Sequence, residues 1–280
     1  SESGCGRGQS SEYLLNTQPA FFNLSWTTST TISTGGWQYV SSGGSVTDTT
    51  IKLGGSQSLR GSATSTTISG TQSVYDGGSA SYTTIGGFGS QQLSGGAATS
   101  TTINSSGRQV ISAGGLATET TINSGGDQNI FNGGSATSTT INSGGNQEIR
   151  NGGFATSTTI NRSGTQHISG GIATSTTINS NGQQNVSSGG SATDTTISGG
   201  SQLVYDGGKA SSTTIGGVVT STTIYTGYQN VSSGGLVTDT TINAWGKQNV
   251  FAGGKATSTT INDGGNQYVS SGGLVTSTDI

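Results

Sequence analysis

One histidine, one cysteine and twelve carboxylates are the side chains from which acid–base, nucleophilic or metal chemistry would have to be built. A catalytic triad needs a serine and a carboxylate brought to the histidine, and a zinc site needs several His or Cys ligands. Nothing of either kind can be assembled around His167, which reads as a solvated surface residue. Cys5 is alone and cannot close an internal disulfide. The carboxylates Asp48, Glu119, Asp194 and Asp239 share one slot of a repeat, Thr-x-Thr, but stand several repeats apart. Glycoside cleavage needs two carboxyl groups close together, and this spacing supplies none. Gly-Gly pairs are frequent, yet calcium-binding β-rolls require an Asp in each turn and phosphate loops require Gly-Lys-Ser/Thr. The residues therefore predict no catalytic site, no metal and no cofactor.

Hydroxyl groups and glycine are what the chain has in abundance. Gly, Ser and Thr make up 146 of the 280 residues, too many to leave room for a thick apolar core. With one Pro and 8% charged residues, the composition also differs from that of an ordinary disordered tail. A thin, repetitive β-structure remains, in which Thr, Val and Ile suit strands and Gly, Asn and Ser suit turns. The net charge is −3 and the nine basic residues are scattered, so no nucleic-acid partner is expected. No apolar run is long enough to span a bilayer as a helix. Low cysteine and low charge fit a secreted or surface-exposed bacterial protein.

These residues are ordered by a repeat. Thr-Thr-Ile recurs from Ile32 and Ile51, through Ile160 and Ile178, to Ile261, at intervals of 17 to 19 residues and one of nine, between Ile215 and Ile224. Every long interval carries a second element, Gln-x-aliphatic, from Gln38/Val40 to Gln267/Val269; the nine-residue interval lacks it. One unit runs from Phe154 to Gly171. Side chains alternate along a strand, so Gln166 and Ile168 share a face that His167 opposes, and Thr158 and Ile160 share a face that Thr159 opposes. Ala155 also looks inward-facing, but it lies five residues before Ile160. An odd separation demands a bend between them. Three short strands per unit result, separated by that bend, an Asn-x-Gly turn and a Gly-Gly turn.

One unit is then one coil of a parallel β-helix, all-β, with about fourteen coils stacked at about 4.8 Å into a rod on the order of 65 Å long. Ile, aliphatic and Ala columns fill the interior, and each Gln amide bonds to the Gln above and below, as amide stacks do in cross-β assemblies. Residues 1–26 do not match the repeat and hold a dense apolar cluster, which reads as an N-terminal cap over the open end. Residues 27–280 form the repeat region, with a half-coil irregularity near 216–224. The repeat reaches Ile280 uncapped, which reads as part of a longer chain.

Units such as residues 135–153, Ser-Ala-Thr-Ser-Thr-Thr-Ile-Asn-Ser-Gly-Gly-Asn-Gln-Glu-Ile-Arg-Asn-Gly-Gly, resemble the nineteen-residue repeats of self-associating autotransporter adhesins, the AIDA, TibA and antigen 43 group. The likeness covers roughly residues 27–280, and TibA- or AIDA-type passengers fit best. It implies a right-handed solenoid displayed on the bacterial surface through an outer-membrane barrel that this chain does not contain. It further implies adhesion to the host cell surface, autoaggregation with other copies of itself, biofilm formation, and O-heptosylation of serines by a dedicated heptosyltransferase. The acceptors that match are turn serines: Ser143 and Ser180 after Thr-Thr-Ile-Asn, Ser163 after Thr-Thr-Ile-Asn-Arg, and Ser42, Ser188, Ser233 and Ser271 before Gly-Gly. The residues themselves leave a second reading open, a glycan or host-receptor binder using outward aromatics such as Tyr225, Tyr228 and Trp245. Ice binding by Thr rows is disfavoured, because the bend separates outward threonines such as Thr156 and Thr159.

Overall fold

The computed structural model describes residues 13–15, 26–187, 189–204, 208–215, 218–219, 222–224, 227–231 and 233–280. All regular secondary structure among them is β-strand, and the strand pairs are parallel, joining each strand to its counterpart in the next repeat. The fold is a parallel β-solenoid. Its described residues form about twelve turns, slightly fewer than the fourteen counted from the motifs. The chain divides into two compact units, Ser1–Thr137 and Ser138–Ile280.

In the first unit the three-strand turn follows the parity of the sequence. The strand Thr71–Tyr75 pairs in register with Ser56–Leu59 on one side and Ser90–Ser94 on the other, so Gln57, Gln72 and Gln91 align and Leu59, Val74 and Leu93 align. Both columns are fully buried, as are Ile51, Ile68 and Ile85 on the opposite wall and Ala63, Ala80 and Ala98 between. Burying each Ile contributes about 1.5–3 kcal/mol, so a narrow core becomes stable by repetition rather than by thickness. The amides complete it. Gln57 Nε2 donates to Gln38 Oε1 at 2.6 Å, Gln72 to Gln57 at 2.7 Å and Gln91 to Gln72 at 2.7 Å.

The required bend falls on a single residue, the x of Thr-x-Thr. Ser29, Asp48, Ser65, Tyr82, Ser100 and Glu119 all have φ between 52° and 57°. Short polar side chains tolerate this left-handed conformation best, which explains why Ser and Asp dominate the slot. Each corner N–H donates to a carbonyl of the next turn, as from Ser100 to Thr118 at 3.0 Å. At the Gly-Gly turn the two glycines have different duties. Gly133 takes φ +76°, and a Cβ on Gly134 would stand 2.4 Å from the Ile111 carbonyl oxygen of the preceding turn. The N-terminal segment lies mostly outside the described residues; within it, Tyr13–Leu15 pairs in parallel with Thr30–Ile32.

The second unit has the same turn. Asn146–Arg150, Thr165–Ser169 and Gln183–Ser187 pair in register, with Gln166 donating to Gln147 at 2.6 Å and Gln184 to Gln166 at 2.7 Å. Asn side chains after Thr-Thr-Ile form a further ladder at the turn, Asn161 to Asn142 and Asn179 to Asn161.

At the nine-residue interval the walls exchange. Ser201–Val204, a Gln strand, pairs with Thr222–Ile224, aligning Val204 with Ile224. Lys209–Ile215 pairs with Gly227–Val231, aligning Thr213 with Gln229 and Ile215 with Val231, after a register shift between Ala210 and Thr213. A half-turn of chain thus carries each motif to the opposite wall, where stacking resumes: Thr222–Ile224 on Leu236–Ile242, and Gly227–Val231 on Gly246–Val250. The aliphatic columns tolerate the exchange because Ile and Val are both β-branched and apolar and differ by a single methylene. The amide column does not. Gln202 accepts from Thr213 Oγ1 at 2.8 Å, and Gln229 Nε2 is buried with no partner among the described residues.

Candidate functional surface

With Gln, Ile, Val and Ala turned inward, the outer surface consists of what the alternation leaves: one or two polar side chains per strand, and three corners per turn. Of the seven serines expected as acceptors, six lie within the described residues. Ser42, Ser143, Ser163, Ser180, Ser233 and Ser271 all occupy turns and all are exposed. Ser163 has φ 57° and donates its backbone N–H to Asn181. Ser188 lies outside the described residues. The turn also decides the exposure: one residue takes the left-handed backbone, the following Gly at Ser42, Ser143, Ser233 and Ser271, Asn181 after Ser180, and Ser163 itself, and the serine side chain is left at the apex.

The one-residue corner supplies a second set of exposed serines that sequence reasoning passed over. Ser29 and Ser65 in the first unit, and Ser138, Ser157, Ser175, Ser258 and Ser277 in the second, are exposed at left-handed φ. The Thr-Ser-Thr spelling was legible, but reading it as strand hid the hydroxyl's position at an apex. The neighbouring threonines differ by parity: Thr158 is buried and Thr159, one residue on, faces out. Outward threonines flank the corner on two different planes, so they form no single flat sheet.

His167 is exposed on its strand, as its parity requires, with Glu148 and Asn185 at the same position in the adjacent turns. Asn185 Nδ2 stands 3.3 Å from His167 Nδ1, and Arg150 Nε donates to Glu148 at 2.9 Å. A cleft of about 400 Å³ lies over this cluster, lined also by Ser169 and Ser187. Among the described residues no group of three or more His, Cys, Asp or Glu side chains could hold a metal ion. Phe154 and Ile172 align in adjacent turns and remain partly exposed, with Ser191 at the same position in the next turn.

Of the aromatics named for ligand contact, Trp245 is 79% exposed at the apex of an Asn-x-x-Gly turn. Tyr225 and the Tyr228 side chain lie outside the described residues. The structure adds Tyr82, 67% exposed at a corner, which sequence reasoning missed because the slot otherwise takes Ser or an acid.

Residues 110–164 and 160–217 match the family model described as the adhesin of the bacterial autotransporter system, probable stalk. Among solved structures, the chain is similar to that of a TibC-catalyzed hyper-glycosylated TibA fragment, with 45% identity over 90% of this chain and 91% of that one and a TM-score of 0.61. No curated protein matches the chain.

Proposed function

The chain belongs to the AIDA-type autotransporter adhesins and is a surface-exposed passenger stalk, and from that premise we propose that it is an acceptor of O-linked heptose on apex serines and joins cells by pairing with copies of itself. The observation that carries the reading is the columns of exposed serines at turns and corners on a rigid, register-locked scaffold, in a chain so similar to a glycosylated fragment. A transferase acting on folded protein needs a hydroxyl that projects clear of the backbone, and an apex serine provides it. A serine has only one χ1 torsion and no β-branch, so its hydroxyl turns freely toward an incoming donor.

The same geometry supports contact with the host cell surface and biofilm formation. Outward Thr and Ser hydroxyls are hydrogen-bonded to water in the free chain, so each exchange for a partner hydroxyl contributes little. Repetition changes the sum. Once one turn is docked, the next stands at high effective concentration, and many weak contacts give a durable association. Enzymatic activity has no part in this reading, which needs only exposed hydroxyls repeated along the scaffold.

Display of the chain on cells, with and without the heptosyltransferase, tests the proposal by sedimentation. Clumping that disappears when the outward residues of one face are replaced, with the fold intact by circular dichroism, supports it. Clumping unchanged by replacement of every face in turn would reject pairing between copies.

A further inference from the structure

Two shallow grooves run over the left-handed corner at the same place in the repeat, one in each unit. The groove in the first unit encloses about 460 Å³ and is lined by Tyr82, Thr84, Ser100, Thr102, Glu119 and Thr121. That in the second encloses about 310 Å³ and has Asp239, Ser258 and Ser277 at the corner, with no aromatic. Tyr82, Ser100 and Glu119 occupy one corner position in three successive turns, and Thr84, Thr102 and Thr121 align beneath them. At about 4.8 Å per turn, the Tyr82 and Glu119 backbones stand roughly 10 Å apart, with one serine between.

Tyr82 is the one aromatic among the described corner residues. A bulky residue at φ 53° is disfavoured where Ser serves at neighbouring corners, and its ring is nevertheless 67% exposed rather than packed. The left-handed φ is common to every corner, and the exposed Phe88 and Trp245 have positive φ too, so what sets Tyr82 apart is its place in one groove two turns from Glu119. Glu119 is held in place: Ser100 Oγ donates to its Oε2 at 2.9 Å, which leaves the other carboxylate oxygen as an acceptor. The groove therefore offers an aromatic face, a positioned carboxylate, and a floor of hydroxyls that both donate and accept at intervals close to the width of a sugar ring. No Lys or Arg side chain lines it, and the carboxylate disfavours anions.

We infer that this groove binds a neutral pyranose saccharide, its ring stacked on Tyr82 and its hydroxyls shared between Glu119 and the Thr column. The inference stands apart from pairing between copies and concerns only the first unit. It is tested by calorimetric titration of the full, unglycosylated chain with neutral oligosaccharides, with acidic oligosaccharides and a Lys-rich peptide as comparators. Saturable binding of a neutral saccharide is expected. Tyr82→Ser, which installs the residue of the neighbouring corners and so keeps the fold, should weaken it about tenfold, as should Glu119→Ser. Ser258→Ala in the second groove should leave it unchanged. Heptosylated chain added in place of free saccharide distinguishes a sugar carried by a second copy from a free one; binding of either that depends on Tyr82 supports the site. Absence of saturable saccharide binding, preference for the peptide or the acidic sugars, or affinity that survives both corner substitutions would overturn it. Clumping is measured separately, so its failure would leave this result standing.

Discussion

Replacing Gln72 by Leu tests whether the amide ladder holds the turns together or merely fills space. Gln72 is fully buried, donates to Gln57 Oε1 at 2.7 Å and accepts from Gln91 Nε2 at 2.7 Å. Leu has a similar volume, so the packing change is small, but two amide groups lose their partners. Gln91 Nε2 retains only a long contact to Thr83 Oγ1 at 3.4 Å. An unpaired buried polar group costs about 1–3 kcal/mol, so the variant should lose about 2–5 kcal/mol. Ser73→Ala, one residue along and outside the ladder, should change stability by less than about 0.5 kcal/mol. Gln72→Glu gives a second readout. Its neutral carboxyl can donate to Gln57 and accept from Gln91, whereas its buried anion cannot donate. Burial raises the carboxyl pKa in the folded state above the unfolded value of about 4.3, so the penalty is absent at low pH and appears as pH rises. Urea unfolding, monitored with hydrogen exchange at the Gln57, Gln72 and Gln91 amides, measures both. Repeat arrays unfold in stages, so local protection is the more direct measure. If Gln72→Leu matched the Ser73→Ala control, the ladder argument would be wrong.

Restoring a full turn between Ile215 and Ile224, with its Gln element, should give Gln229 a donor's partner and raise stability by about 1–3 kcal/mol; hydrogen exchange around 201–231 would report it. Tyr82→Asn should stabilise the first unit by about 0.5–1 kcal/mol, seen as a higher denaturation midpoint, because Asn tolerates the left-handed corner. Gly134→Ala should cost at least about 2 kcal/mol by thermal melting, since its Cβ would meet the Ile111 carbonyl oxygen at 2.4 Å, and a neutral result would mean the turns can part there. Ile160→Ala should cost about 2–5 kcal/mol in the same assay, as a cavity in a core one side chain thick has little to collapse into it.

Much of this architecture was legible because solenoid turns are local and the interior is a single layer. The alternation of Gln166, His167 and Ile168 fixed which side chains face in, and the odd spacing of Ala155 and Ile160 demanded a bend. Which residue would bend was not legible from spacing alone: Ser157 reads equally well as strand, and its left-handed φ emerges only when the next turn's carbonyl accepts its N–H. The exchange of walls at the nine-residue interval was hidden for a related reason. A gap in a motif list shows that half a turn is missing, but only the pairing of Val204 with Ile224 shows that each wall passes to the other motif. Tyr82 was passed over because one aromatic in a polar slot carries no periodic signal.

The central claim is that apex serines on this scaffold are the sugar acceptors, and peptide mapping of chain co-expressed with a heptosyltransferase tests it most directly. Heptose is expected on exposed turn and corner serines such as Ser143, Ser163, Ser157 and Ser175, with none on buried hydroxyls such as Thr158 or Ser58. Unmodified apex serines, or sugar on the buried column, would contradict it.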